Sequence, residues 1–393
     1  MLKDLNPLSG QNDWIGGDGS RAPESLRTLL EYAGVQINGN RPWDLRVINP
    51  DTYRRVLSSW SLGLGEAYMD GQWDCDQLDE LFARLLRTDI DSAATGWAKL
   101  RLVGDHLRHR LFNLQSPRRA FQVGERHYDV GNDVFEAMLD SRMIYSCGYW
   151  ENAKDLEQAQ ANKLDMICRK LDLQPGQTLL DIGCGWGGLA RFAAENYGVK
   201  VTGVTVSKEQ LEFARDQIGD LPINFILQDY RDLDGRYDKV VSVGMFEHVG
   251  PKNYDTYFSA VKRLLAPDGL FLLHTIGIAQ TSRGTDPWID RYIFPNGKLP
   301  SAREIAESVE DHFVIEDWHN FGQDYDRTLM AWWERFDAAW PRLKDGYDRR
   351  FYLMWKYYLL CCAGFFRSRQ GQLWQVVLTN PARRDTYRSR RLA

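Results

Sequence analysis

The stretch Leu179–Gly188, "LLDIGCGWGG", decides the fold. Leu179, Leu180 and Ile182 form an apolar run of strand length. Gly183, Gly185 and Gly187 then put three residues without a Cβ between that strand and the helical segment "LARFAAENYG". Glycine there permits a tight turn and close approach of a ligand to the backbone. Further along, "VKVTGVTV", "INFILQ", "DKVVSV" and "LFLLHTI" read as strands, and "LWQVVLTN" as a final one. "SKEQLEFARDQI", with Ser207 as its N-cap, and "NYDTYFSAVKRLL", closed by "APDG", read as helices between them. Strands alternating with helices predict the α/β class, an open parallel sheet covered by helices.

The bulk numbers set limits. A chain of 393 residues suggests two domains, and 44% apolar with 12% aromatic residues is enough for a sizeable core. The net charge of −5 gives no global basic field for nucleic acid. The six cysteines form no CxxC pair and no zinc-spaced cluster, so no metal is expected. The N-terminus lacks a signal-peptide pattern, and the longest uncharged apolar run, "YYLLCCAGFF", is too short to span a bilayer. These features predict a cytoplasmic protein with reduced thiols. In "SLGLGEAYMDGQWDCDQLDELFARLL" the glycines read as breakers. The end is an amphipathic helix with Leu78, Leu81, Phe82, Leu85 and Leu86 on one face. "KLRLVGDHLRHRLFNLQSPRR" carries six Lys/Arg against one Asp. It reads as a solvated linker or as a surface for anionic lipid headgroups. The tail "RRDTYRSRR" reads as basic and mobile.

The glycine loop, preceded by Asp181, resembles that of S-adenosylmethionine-dependent methyltransferases. In most of that superfamily an acid ends the second strand and holds the ribose. Here "VTGVTVS" has none, so Thr205 and Gln210 would substitute. A narrower resemblance follows from many stretches in order: "SLGLGEAYMDG", "HYDVGNDVF", "YSCGYW", "LDIGCGWGG", "GVTVSKEQ", "GMFEHVGPKNYDTYF", "LLHTIG", "WIDRYIFPNG", "EDWHNFGQDYDRTLMAW" and "LWQVV". Together they resemble the cyclopropane-fatty-acid synthase and mycolic acid cyclopropane synthase family, and the long N-terminal region resembles its phospholipid-acting members.

That resemblance implies a Rossmann-like S-adenosylmethionine-dependent catalytic domain at 125–393, a basic linker at 99–124 and a smaller lipid-engaging, dimerising domain at 1–98. It implies methylene transfer from S-adenosylmethionine to the cis double bond of an unsaturated acyl chain in a membrane phospholipid. It further implies a homodimer, peripheral at an anionic inner membrane face. The alkene attacks the sulfonium methyl, and a bound bicarbonate then takes a proton from the carbocation so that the ring closes. The positions matching the bicarbonate motif are Cys147 and Ile276, through backbone N–H groups, with Glu247, His274 and Tyr325. Those matching cofactor contacts are Tyr145, Ser146, Leu179, Asp181, Gly183, Cys184, Gly185, Gly187, Thr205, Gln210, Tyr230 and Arg231. Cys362 matches a cysteine proposed as catalytic in the family, although a cysteine in an apolar helix is more often packing.

The chemistry is consistent with these residue types. An alkene is a poor nucleophile, so positioning matters, and water must be kept from the carbocation. Aromatic faces steady a cation. Phe246, Tyr254, Tyr257, Trp288, Tyr292, Trp318 and Tyr325 are candidates, although aromatic stretches are more often core. Glu247 and His274 both follow strands, where ligand sites of open α/β sheets lie. His248, pointing another way from its neighbour, reads as structural. Two other functions compete: a lipid methyltransferase that does not close the ring, and a membrane-surface lipid-binding protein with an inactive fold.

Overall fold

The computed structural model describes residues 22–88, 131–282 and 284–391. In chain order the elements are α1 (Glu24–Tyr32), β1 (Arg46–Val47), α2 (Asp51–Met69), β2 (Trp73–Asp74), α3 (Leu78–Arg87), α4 (Asn132–Met138), α5 (Leu156–Lys170), β3 (Thr178–Ile182), α6 (Gly188–Tyr197), β4 (Lys200–Thr205) and α7 (Lys208–Asp216). There follow β5 (Ile223–Leu227), β6 (Tyr237–Val243), α8 (Tyr254–Leu264), β7 (Leu265–Ile278), α9 (Pro287–Tyr292), α10 (Ala302–Val309), β8 (Val314–Asn320), α11 (Gln323–Leu343), α12 (Arg349–Arg367) and β9 (Gly371–Thr379). No helix among the described residues is long and apolar enough to cross a membrane.

The chain forms two compact units, and neither is continuous in sequence. Among the described residues, the first takes 22–88, 284–294 and 337–371, and the second takes 131–282, 295–336 and 372–391. The contiguous division into 1–98, 99–124 and 125–393 therefore does not match the packing. The basic linker itself lies outside the described residues.

Glycine explains how the first unit is assembled from separate segments. A Cβ on Gly65 would come within 2.3 Å of the Trp288 ring, and one on Gly364 within 2.6 Å of the Asp79 carbonyl. Only the bare backbone lets α9 and α12 pack onto α2 and α3. The glycines expected to break α2 instead lie inside it. The break is at Trp60, whose φ of 45° interrupts the helix, and Gly63 permits a close approach to the Arg55 carbonyl. On α3, Leu78 and Leu81 are fully buried as the amphipathic pattern requires. Tyr357 packs edge-on to Trp73 and Phe82 and at a tilt to Tyr68 and Trp288.

The second unit is built on a seven-stranded sheet in the order β5-β4-β3-β6-β7-β9-β8. The first five strands are parallel, and β8 runs antiparallel to β9. Alternation along each strand feeds two cores. Leu179, Val241, Leu270 and Leu272 pack with Leu164 and Ile167 of α5 and Ala190 of α6. Leu180, Val240, Phe271 and Leu273 pack with Tyr257, Phe258 and Val261 of α8. The "APDG" segment, read as a turn closing α8, instead lies within β7, where a register shift between Tyr237 and Lys239 accommodates it. Ser207 caps α7 as the sequence predicts, accepting from the Gln210 amide at 3.3 Å.

The basic tail, which the sequence predicts to be mobile, is docked by ion pairs. Arg390 pairs with Asp172 and Arg391 with Asp317, each at 2.6 Å, and Tyr387 packs on the core beneath.

Candidate active site

The glycine loop leaves β3 with Gly183, Gly185 and Gly187 at φ of 82°, 54° and 80°. All three occupy the left-handed region that glycine tolerates without a Cβ penalty. The amides of Gly183 and Cys184 donate to the Val204 carbonyl, which fixes the loop beside the end of β4. A Cβ on Gly183 would lie 2.9 Å from Met245, and one on Gly187 2.5 Å from Phe225, whereas one on Gly185 would meet nothing within 4 Å. Two glycines are thus needed for packing, and the middle one faces open space. A nucleotide-bearing cofactor fits a cradle of this form.

The other cofactor positions border this cradle or are tied up nearby. Asp181 is buried, and burial raises its carboxyl to about 7, with Lys163 acting against the rise. Beyond β4, the Thr205 hydroxyl bonds Gln210 Oε1 at 3.0 Å, which fixes the amide where an acid is usual. Leu179 of β3 and Cys184 of the loop both pack into the hydrophobic core. Tyr145 packs edge-on against Phe135 at 5.1 Å and at a tilt against Trp332 at 5.2 Å. Ser146 Oγ accepts from Lys163 Nζ. Arg231, beside Tyr230, is turned onto Asp229, donating from Nε at 2.8 Å and Nη2 at 2.5 Å. Its guanidinium is therefore already engaged by the carboxylate of Asp229, two residues beyond β5.

The second cluster lies at the ends of β6 and β7. The chain leaves β6 through Gly244, at φ 66°, into a short turn Phe246–His248. Val243 and His274 are register partners, so the turn that carries Glu247 starts opposite His274. The Ile276 amide donates to Glu247 Oε1 at 2.7 Å. The amide that resemblance assigned to bicarbonate is here bonded to the carboxylate. Glu247 is 7% exposed, and burial raises its carboxyl to about 7. Its Oε2 has no hydrogen-bond partner among the described residues. His274 is fully buried, and burial, with Lys163 and Lys170 adding to it, holds its imidazole well below the usual range. Gln375 Nε2 lies 3.2 Å from His274 Nδ1, while Nε2 has no partner among the described residues. With the amide donating to Nδ1, the proton of the neutral ring sits on Nε2.

The "YSCGYW" segment is held to the first turns of α11. Asp324 Oδ2 accepts from the Trp150 amide at 2.7 Å, and Thr328 Oγ1 accepts from the Gly148 amide at 3.1 Å. Cys147 is buried, which raises its thiol far from ionisation. A backbone role suits it better than a side-chain one. Tyr325 lies on the same helix, edge-on to Trp332 at 6.0 Å. Trp332 therefore touches both Tyr325 and Tyr145.

Other candidates separate from this group. His248 is half-buried, and burial lowers its imidazole to about 4. Phe246 stacks on Tyr254 and packs edge-on to Tyr257, both of α8, within the core, as packing residues do. Trp318 packs edge-on to Trp374. Trp288, Tyr292 and Cys362 belong to the first unit. No group of acidic, histidine or cysteine residues among the described residues could hold a metal.

Sequence reading missed Lys163, Gln375 and Trp332. A signal existed for the first. Leu156, Gln160, Lys163, Ile167 and Lys170 recur at spacings of four and three on α5, and all are buried. Polar residues on an inward stripe mark a site rather than a surface.

A parallel sheet with a glycine cradle after its first strand and polar groups beyond its carboxyl ends defines an S-adenosylmethionine-dependent methyltransferase. Residues 115–376 match the family model described as mycolic acid cyclopropane synthetase. The chain is 59% identical to the cyclopropane-fatty-acyl-phospholipid synthase of Escherichia coli K12 over 353 residues, 89% of this chain and 91% of that protein. It is 33% identical to the tuberculostearic acid methyltransferase UfaA1 of Mycobacterium tuberculosis, over 85% of this chain and 82% of that one. A crystal structure of the mycolic acid cyclopropane synthase CmaA1 complexed with SAH and CTAB superposes with a TM-score of 0.62 at 32% identity, covering 66% of this chain and 97% of that one. The chain belongs to the cyclopropane synthase family.

Proposed function

We propose that the protein transfers a methylene group from S-adenosylmethionine to the cis double bond of an unsaturated acyl chain in a membrane phospholipid, closing a cyclopropane ring. One observation carries this reading: Glu247 Oε2 and His274 Nε2, an acceptor and a donor, are both buried and without protein partners among the described residues. Buried polar groups are normally satisfied, so such a pair is suited to receive a polar ligand. A small anion that itself carries a hydroxyl fits it, as bicarbonate does. S-adenosylmethionine would supply the electrophilic methyl, and bicarbonate would supply the base. The full name of the Escherichia coli relative, similar over nearly its whole length, supports the phospholipid substrate.

The chain's own residues have separate tasks in this reading. Glu247 accepts the hydroxyl of the anion, and its shared proton removes the repulsion between two nominal anions. His274, held neutral, donates from Nε2. The Cys147 amide and the Tyr325 hydroxyl complete the binding set, with Ile276 acting through Glu247. Phe321, 5.8 Å from the His274 ring, helps keep water away. Cys362 has no task, since an alkene attacks a sulfonium methyl without a thiolate. We assign membrane engagement and homodimer formation to the first unit together with the basic segment around Arg108, Arg110, Arg118 and Arg119, and place the enzyme peripherally at the cytoplasmic membrane face.

Mass spectrometry of unsaturated phospholipid vesicles incubated with protein and S-adenosylmethionine tests the proposal. The expected product has gained CH2, lost its double bond and needed no reductant. The similarity to a tuberculostearic acid methyltransferase favours a second reading, methyl branching without ring closure. Branched or hydroxylated chains alone would establish that reading and overturn the first.

A further inference from the structure

Lys163 is 1% exposed on α5, and its ammonium donates to Ser146 Oγ at 2.9 Å. Asp140 and Asp181 are near enough to favour its charge, yet Lys163 makes no ion pair among the described residues. Burying a cation without a paired carboxylate is costly, so a fold that keeps one has a use for the charge.

The direction of the hydrogen bond indicates that use. An ammonium has hydrogens and no lone pair, so Ser146 Oγ must accept. The hydroxyl hydrogen of Ser146 is thereby left to point away from Lys163, toward some acceptor. The segment carrying Ser146 is firmly placed. Asp140 accepts from the amides of Ile144 at 2.8 Å and Arg142 at 3.1 Å, and Met143 between them is held at φ 58°. Gln160 Nε2 donates to the Ser146 carbonyl at 2.8 Å. A Cβ on Gly188, the first residue of α6, would lie 2.4 Å from the Arg142 carbonyl, so this turn rests directly on the end of the glycine loop. A hydroxyl donor backed by a buried positive charge, beside that loop, suits a carboxylate. S-adenosylmethionine has one, on its amino-acid head.

We propose that Lys163 is a positioning residue for the cofactor, orienting and polarising the Ser146 hydroxyl so that it donates to the α-carboxylate of the amino-acid head. This rests on the placement of Ser146 in the cofactor site.

Calorimetry on the full chain with two ligands tests it: S-adenosylhomocysteine, which has the amino-acid head, and 5′-methylthioadenosine, which lacks it. Lys163→Met is expected to weaken the first by about 10-fold or more and the second by less than about 2-fold. Lys163→Arg should restore part of the loss. Ser146→Ala should reproduce the selective loss with Lys163 in place, and the double variant should add little to either single change. Ser146→Ala also carries the test if Lys163→Met does not fold. Equal weakening of both ligands, or no weakening of S-adenosylhomocysteine, would overturn the role of Lys163. Ser146→Ala with unchanged affinity for both would instead show that Ser146 is misplaced in the cofactor site.

Discussion

The backbone amide of Ile276 donates to Oε1 of Glu247 at 2.7 Å, joining the end of β7 to the turn that follows β6. The carboxylate is oriented by backbone rather than by a cation. Burial then prevails, raising the carboxyl from 4.5 to about 7. Its other oxygen has no hydrogen-bond partner among the described residues.

Glu247 should therefore destabilise the free protein at high pH. The unfolded carboxyl titrates near 4.5 and the folded one near 7, so the folded state holds the proton more tightly between these values. Its contribution is full below pH 4.5 and is lost as pH rises through 7, a difference of up to about 3 kcal/mol. Urea melts should show Glu247→Gln more stable than the parent at pH 8 and matched to it near pH 4.5. Turnover should fall by about 100-fold or more in Glu247→Ala and by less than about 10-fold in His248→Ala. Equal losses in the product assay would mean that the two roles are wrongly divided.

Gln375 should act through the tautomer of His274. Gln375→Glu would offer an acceptor to Nδ1, move the ring proton there and leave Nε2 without one. Activity should drop by about 100-fold. Gln375→Leu, which leaves the tautomer unforced, should lose less. Nitrogen NMR of the His274 ring checks the proton position directly, and an unchanged tautomer in Gln375→Glu would remove the basis for this expectation.

The glycine loop offers a separation of strain from binding. Gly183→Ala meets Met245 at 2.9 Å as well as an unfavourable φ, so it should lower stability clearly. Gly185→Ala meets no protein atom and costs only the left-handed conformation, about 1–2 kcal/mol. If the cofactor occupies the space there, Gly185→Ala should weaken S-adenosylhomocysteine binding by more than its melting shift explains. Thermal melts with and without the ligand decide this.

The docked tail predicts a pH-dependent contribution. Burial acts to raise the Asp317 carboxyl, but Arg391 and Lys170 outweigh it and leave it below the usual range. That stabilisation is present above the ordinary aspartate range and is lost as pH falls through the folded value. Arg391 is half exposed, so Arg391→Ala should cost about 1 kcal/mol or less at low salt. Melting curves of the two proteins should differ at pH 7 and converge near pH 3.

The alternation of apolar runs and helices, the glycine loop and the Ser207 cap were legible because each is a local pattern with a local physical cause. So were Glu247 and His274 as residues following strands, since ligand sites of such sheets lie at those ends. Distant packing was not legible. Gly65 reads as a helix breaker, yet the Trp288 ring fills the place of its missing Cβ, and nothing local in the sequence shows that Gly364 lies against the Asp79 carbonyl. The tail read as mobile because its acceptors, Asp172 and Asp317, are remote in sequence. The sequence by itself determined the α/β class, the cofactor loop and the family. Only the tertiary structure decided which polar atoms lie buried without partners among the described residues, that Ile276 orients Glu247, and that Lys163 is a buried cation with no ion pair among those residues. Burial and hydrogen-bond direction arise where segments from α5, β6, β7 and β9 meet, and no single segment encodes them.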